Sequence, residues 1–278
     1  MSATTTDLPH GFASSRLRVL HPFPSFLVAA LTVAIVPFAD PDAPVSLYVA
    51  LGLGMLLYQF AIGVANDITD APDDAQNKPW KPIARGAITL RAGKLLVAGL
   101  AGAGLLVTSG LDPGAWLIGL AGLSAGLAYD VHFKRTRLSW LPWAIAFPLI
   151  PVWVYTAADA WDDLLWWVFP LGAMLAVALY FANQAPGADA EREVGGLAQQ
   201  FGERASRAAG MALFGLTSSI AVVVLLVVAR PQAMLAAIAA AVTVVLIPRA
   251  QVYFGHDGVF GVLAAGSAAL AVAFLAAA

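Results

Sequence analysis

Residues 47–65, LYVALGLGMLLYQFAIGVA, carry no charge and run straight into residues 66–94, NDITDAPDDAQNKPWKPIARGAITLRAGK. An uncharged run of about 17–25 residues is what a helix needs to cross a bilayer, so the first part reads as a transmembrane helix. The second part is unlike its surroundings. Asn66, Asp67, Asp70, Asp73 and Asp74 fall within nine residues, and Lys78, Lys81, Arg85, Arg91 and Lys94 follow. The whole chain is 60% hydrophobic and only 12% charged, so this concentration of charge calls for a physical reason.

Outward from this stretch, further apolar runs occur near 22–39, 94–110, 114–131, 139–158, 164–184, 208–229, 231–248 and 259–277, with 45–66 completing the set. The mean hydropathy of +0.79 is far above that of a soluble domain. The expectation is an all-α polytopic membrane protein of about nine transmembrane helices, in a single bundle around a central cavity. It forms one domain over 1–278, with a polar N-terminal segment at 1–20 and two polar loops, 67–93 and 185–207, capping the site. Residues 1–20 lack the basic start, apolar core and small-residue cleavage site of a removable signal peptide, so none is expected. The absence of cysteine excludes disulfides, thiolate catalysis and thiol-ligated metals. A net charge of −2 gives no basis for nucleic-acid binding.

Fourteen of the fifteen Lys and Arg residues fall at one set of segment ends, and only Arg230 falls at the other. The positive-inside rule then puts the N-terminus and the two long loops on the cytoplasmic face of the cell membrane. The opposite linkers carry Asp40, Asp42, Asp112, Asp159, Asp162 and Asp163, with Trp161, Trp166 and Trp167 where an interfacial aromatic belt would sit.

Asn66, Asp70 and Asp74 are spaced i, i+4, i+8, so a helix continuing through them turns all three the same way. A carboxylate drawn to the bilayer centre costs up to ~2.5–3.5 kcal/mol, so several together imply counter-charge, a metal or open water. Oxygen-only ligands suit Mg2+, which is usually held by one or two carboxylates together with substrate phosphates. Acids followed by bases therefore suggest a Mg2+–diphosphate site, with Lys78, Lys81, Arg85, Arg91 and Lys94 closing over the remaining phosphate oxygens. The plainer reading is a set of solvated loop acids balanced by bases that set topology. It weighs most for Asp67 and Asp73, which stand outside the i, i+4, i+8 series.

Tyr129-Asp130-Val131-His132-Phe133-Lys134-Arg135-Thr136 forms a second constellation, at the end of the fourth segment. Lys134 and Arg135 could anchor a diphosphate while Tyr129 donates a hydrogen bond or shields a cation with its ring. A topogenic basic loop is the alternative, and His132 reads as a surface residue. The third constellation, Asn183 to Glu193, ends the sixth segment. It offers Asn183, Asp189 and Glu191, interrupted by Pro186 and Gly187. His256-Asp257 reads as part of a turn. Phe60, Trp143, Phe147, Trp153, Tyr155 and Tyr180 are candidates either to line an apolar cavity or simply to pack helices.

Taken together, these residues resemble the UbiA superfamily of intramembrane prenyltransferases, which have nine transmembrane helices and aspartate-rich motifs on helices 2 and 6. Asn66-Asp67-x-x-Asp70-x-x-x-Asp74 is similar to the first motif, NKPWKPIARGAIT to the loop after it, and YDVHFKRT to the helix 4–5 signature. The resemblance covers about 20–260. It implies Mg2+ and a prenyl diphosphate in the site, with Asn66, Asp70, Asp74, Asn183, Asp189 and Glu191 as metal ligands. Lys78, Lys81, Arg85, Lys94, Lys134 and Arg135 would bind diphosphate, and Asp70, Asp74, Tyr129 and Lys134 would be catalytic. The second motif departs from the pattern: counted from Asn183, its aspartates fall at Gly187 and Glu191, or two residues earlier at Ala185 and Asp189.

For members with the full pattern, the resemblance implies ionisation of an allylic diphosphate and capture of the carbocation by a lipophilic acceptor, aromatic or other. The alternative is a terpene cyclase on the same scaffold, which needs no acceptor. A transporter would be expected to carry ionisable groups near the midplane, and the apolar segments show none there. An inactive homologue also remains open, because of Gly187.

Overall fold

A computed structural model of the chain describes residues 16–186, 188–189 and 195–278, with residues 254–257 described by backbone alone. Nine helices follow in order: α1 (Pro22–Ala39), α2 (Val45–Asn77), α3 (Leu90–Val107), α4 (Pro113–Ala128), α5 (Leu141–Ala157), α6 (Val168–Gln184), α7 (Leu197–Phe201), α8 (Glu203–Val227) and α9 (Ala233–Leu275). Their starts are written in the sequence. Pro22 and Pro113 occupy first-turn positions, where the missing N–H costs nothing. Asp112 Oδ1 accepts from Gly114 N at 2.7 Å, Thr89 Oγ1 from Ala92 N at 3.2 Å, and Asp162 Oδ1 from Leu164 N at 2.7 Å ahead of α6. Three of the polar residues between apolar runs are thus helix caps.

Among the described residues, eight helical stretches are long and apolar enough to cross a membrane, and the 17-residue α5 is a ninth, shorter apolar helix. The eight count α9 twice. A straight helix of its 43 residues would reach about 65 Å, twice the hydrocarbon thickness. Its ends meet instead: Gln232 Nε2 donates to Ala276 O at 2.9 Å. A side chain on Gly266 would collide with Thr243, its Cβ only 2.1 Å from Oγ1. The two spans, Ala233–Tyr253 and Gly258–Leu275, therefore run antiparallel, in line with the two apolar runs of the sequence.

Two segments differ from expectation. Residues 67–77, read as the start of a loop, continue α2 for eleven residues beyond Asn66, and residues 203–207 belong to α8. Pro72 removes one backbone hydrogen bond from the α2 extension but does not end it. Acids of this extension find cations across the site, which offsets the repulsion that would otherwise favour an open loop.

α5 sits between two apolar cores. Its Trp153 and Val154 pack with Val36, Leu51, Tyr58 and Leu123 from α1, α2 and α4. Its Val152 and Tyr155 pack with Leu171, Leu225 and Phe274 from α6, α8 and α9. Trp153 is accommodated because Gly119 has no side chain: a Cβ there would lie 3.2 Å from the indole.

Candidate active site

The start of α1, the ends of α2, α4 and α6, the start of α5 and the short α7 converge on one polar cluster. α2 supplies the acids. Asp67 is 2% exposed and Asp74 5% exposed, and Lys81, from the loop after α2, bridges them. Lys81 Nζ lies 2.8 Å from Asp67 Oδ1 and 2.6 Å from Asp74 Oδ2; the second contact is an ion pair without hydrogen-bond alignment. His21 Nε2, just before α1, also reaches Asp67 Oδ1 at 2.9 Å. Burial pulls the pKa of Lys81 down, but its contacts with Asp67 and Asp74 more than offset this and hold it above the ordinary lysine value. The ammonium is therefore fixed in its charged form.

Across the site, Lys134 Nζ donates to Asp70 Oδ2 at 2.6 Å, Arg135 pairs with Asp73, and Asn66 Nδ2 donates to Asp130 Oδ1 at 2.9 Å. These partners come from a π turn, Tyr129–Phe133, that extends α4, and from the two residues after it; the turn is closed by Lys134 N donating to Tyr129 O at 2.8 Å. A π turn inserts one residue into the helical register and is often found at functional sites. Here it leaves Asp130 and Lys134 both engaged with α2.

The acids of α2 thus form two rows. At 100° per residue, Asp74 lies about 80° around the helix from Asn66, whereas Asp73 lies only about 20° from it on the other side. Asn66, Asp70 and Asp73 meet the α4 end, and Asp67 and Asp74 meet Lys81. This differs from the single Asn66–Asp70–Asp74 face expected from spacing, because a drift of about 40° per four residues, doubled over eight, brings Asp74 to within about 20° of Asp67. Within this paired set, five carboxylates (Asp67, Asp70, Asp73, Asp74 and Asp130) face three permanent cations, an excess of two negative charges.

The α6 side is built differently. α6 stops at Gln184, so Asn183, Pro186 and Asp189 do not share a helical face as the α2 acids do. Asn183 and Asp189 are exposed, and Gly187 and Glu191 lie outside the described residues. The near contacts from this side are amides: Gln184 Nε2 donates to Tyr129 Oη at 3.4 Å, and Gln199 Nε2 donates to Gln184 Oε1 at 3.3 Å. The returning loop is pinned beside α4–α5. Ser139 Oγ lies 2.6 Å from Tyr180 Oη, Leu197 N donates to Ser139 Oγ at 3.1 Å, and Ala198 N donates to Tyr180 Oη at 3.2 Å. Gly195, at φ +89°, passes so close to the Arg135 carbonyl that a Cβ would sit 2.7 Å from its oxygen.

Of the aromatic candidates, Trp143 and Phe147 stack at 5.3 Å, and Tyr129 meets Trp143 edge-on at 6.0 Å, forming a wall next to the polar cluster. Trp153 and Tyr155 are core residues, Tyr180 anchors the loop, and Phe60 packs edge-on against Phe26 at 6.0 Å. Lys78, Arg85, Arg91 and Lys94 are exposed. His132 is exposed as expected, and the side chains of His256 and Asp257 lie outside the described residues. His21, Gln184, Gln199 and the Asn66–Asp130 pairing were not foreseen as parts of the site. Asp130 had a signal, its place among the second constellation; a lone histidine before a proline and two glutamines in separate loops had none.

Among the described residues, no three carboxylates or imidazoles converge as a ready-made metal site. The donor set is nevertheless all oxygen, and it has a charge deficit equal to that of one divalent cation. That fits Mg2+, which is normally completed by water and phosphate oxygens, better than a metal needing a closed protein cage.

The fold matches solved structures at low sequence identity. A UbiA homolog from Archaeoglobus fulgidus bound to DMAPP and Mg2+ superposes with a TM-score of 0.73 at 17% identity, covering 93% of this chain and 100% of that one. A digeranylgeranylglyceryl phosphate synthase gives 0.71 at 15% identity, covering 94% and 96%. The apo UbiA homolog from Aeropyrum pernix K1 gives 0.69 at 15% identity, covering 90% and 98%. No curated protein matches the chain by sequence. The sequence model of the UbiA prenyltransferase family, however, matches residues 23–259, most of the length and all of the polar cluster but His21, and the chain therefore belongs to the UbiA prenyltransferase family.

Proposed function

We propose that this protein is a Mg2+-dependent enzyme that transfers a prenyl group from an allylic prenyl diphosphate to a lipophilic acceptor. The observation that carries the reading is a cluster whose carboxylates outnumber its permanent cations by two and whose candidate metal donors are all oxygen, set beside an aromatic wall. The Archaeoglobus homolog bound to DMAPP and Mg2+ supports the same substrate class. Asn66, Asp70 and Asp74 would hold the metal, Asp74 by exchanging its contact with Lys81. Asn183, Asp189 and Glu191 would contribute from the α6 side. When bound, Mg2+ would neutralise charge building on the departing pyrophosphate.

Lys134 and Arg135, now on Asp70 and Asp73, would shift to phosphate oxygens as the metal takes over those carboxylates. Lys78, Lys81, Arg85 and Lys94 would ring the same head group. Tyr129, Trp143 and Phe147 would offer ring faces to an allylic cation forming beside the cluster, which stabilises positive charge. The site lies at the cytoplasmic face, following the distribution of basic residues.

A terpene cyclase is the second reading. Amides from Gln184 and Gln199 stand where a second set of carboxylates would be expected, and among the described residues the bases stand towards the ends of the apolar spans, none near the middle to receive an acidic acceptor. The test is to incubate the purified protein with prenyl diphosphates of several chain lengths, in Mg2+ or chelator, without and then with aromatic acceptors. Pyrophosphate and hydrocarbon products are followed. Cyclic terpenes without acceptor would replace transfer by cyclisation; no Mg2+-dependent pyrophosphate release under any condition would refute the diphosphate reading itself.

A further inference from the structure

We infer that Asp130 is a positioning residue that fixes which end of the Asn66 carboxamide faces the metal; the inference rests on the reading of Asn66 as a ligand. Asp130 is only 6% exposed, and the hydrogen bond to Asn66 crosses from the π turn of α4 to α2. The bond runs from Asn66 Nδ2 to Asp130 Oδ1 at 2.9 Å, so the amide nitrogen is the end that Asn66 gives to α4. The carboxamide is planar, with its oxygen and nitrogen on opposite sides of Cγ. Committing Nδ2 to Asp130 therefore commits Oδ1 to the other side.

An asparagine can ligate a hard cation only through that oxygen. With Asp130 removed, the carboxamide can rotate by half a turn and present its NH2, which repels a cation. Asp130 thus acts on the metal through Asn66 and has no need to touch it, the relation in which an outer group sets the orientation of a ligand. The π turn explains the placement. Lys134 is bound to Asp70 one helical turn along α2 from Asn66, and the inserted residue lets Asp130 and Lys134 serve the same stretch of α2 together.

The test measures Mn2+ binding by electron paramagnetic resonance to the purified full chain, with an unreactive geranyl thiolodiphosphate present. No turnover is needed. Asp130→Leu is expected to weaken Mn2+ binding by about 10- to 100-fold. Asp130→Asn is expected to lose little, because its carbonyl can still accept from Asn66. The reciprocal exchange, Asn66→Asp with Asp130→Asn, keeps one amide-to-carboxylate hydrogen bond with the same net charge. It is expected to bind Mn2+ within a few-fold of the wild type, or more tightly. The exchange also covers the case in which Asp130→Leu does not fold. Mn2+ binding that Asp130→Leu leaves unchanged, or an exchange variant no better than Asp130→Leu, would overturn the inference alone. A wild-type protein that binds no Mn2+ would instead refute the site reading beneath it.

Discussion

Replacing Lys81 by Met separates two roles that one lysine holds in this fold. The methionine keeps most of the aliphatic stem and removes the ammonium that touches Asp67 at 2.8 Å and Asp74 at 2.6 Å. Both carboxylates are almost wholly buried, so water does not replace what is lost; only His21 remains, on Asp67 alone. Breaking a buried ion pair by deleting one partner costs about 3–5 kcal/mol, chiefly through the charge left behind. For a chain of this size that corresponds to a fall in Tm on the order of 10 °C. The assay is thermal unfolding in detergent with a chelator present, so that no divalent cation stands in for the ammonium. Lys134→Met is the internal control. Its pair with Asp70 is more open, the two side chains being 25% and 19% exposed, so it should lose less. Lys81→Met/Asp67→Asn should recover part of the deficit. A Lys81→Met protein within 2 °C of the wild type, or a Lys134→Met protein equally impaired, would refute the argument that burial decides the cost.

Gly266→Ala should destabilise by about 1–3 kcal/mol in the same thermal assay, and Thr243→Gly in the same chain should restore most of it, because the two residues meet across the fold of α9. Asp70→Ala should reduce Mg2+-dependent pyrophosphate release by roughly 10²- to 10³-fold, the usual loss when one group stabilising transition-state charge is removed. Trp143→Leu should lower turnover by roughly 2- to 30-fold while leaving Mn2+ binding intact, since its ring packs on Tyr129 and Phe147 and supplies no oxygen to a metal.

The spans were legible because an uncharged run of bilayer length has few alternative structures, and even the folded-back α9 follows the two apolar runs on either side of residues 254–257. The acids at Asn66, Asp70 and Asp74 were legible from spacing, but their partners were not. Spacing along one helix describes its own surface and carries no information about what crosses from a neighbour. Lys81 thus read only as part of a substrate lid, with no sign that it also bridges Asp67 and Asp74. Asp67, for which a solvated loop acid was an open reading, is the most deeply buried acid of the cluster. Tyr180 read as a residue that lines a cavity or packs helices, and its hydroxyl also anchors Ser139 and the backbone at Ala198, contacts that spacing along α6 does not announce.

The divided allegiance of α5 bears on how the chain assembles as it enters the membrane. The first four helices have an incomplete core until Trp153 and Val154 arrive, and the same helix presents Val152 and Tyr155 to partners that have yet to be synthesised. The Tyr155 hydroxyl finds its acceptor at Leu275 O, 120 residues later, at 2.7 Å. Synthesis of the Gly258–Leu275 span therefore completes the bonding of a helix inserted well before it. Removing residues 270–278 should be felt first as a loosened α5, whose Tyr155 lies 120 residues earlier in the chain yet packs directly on them.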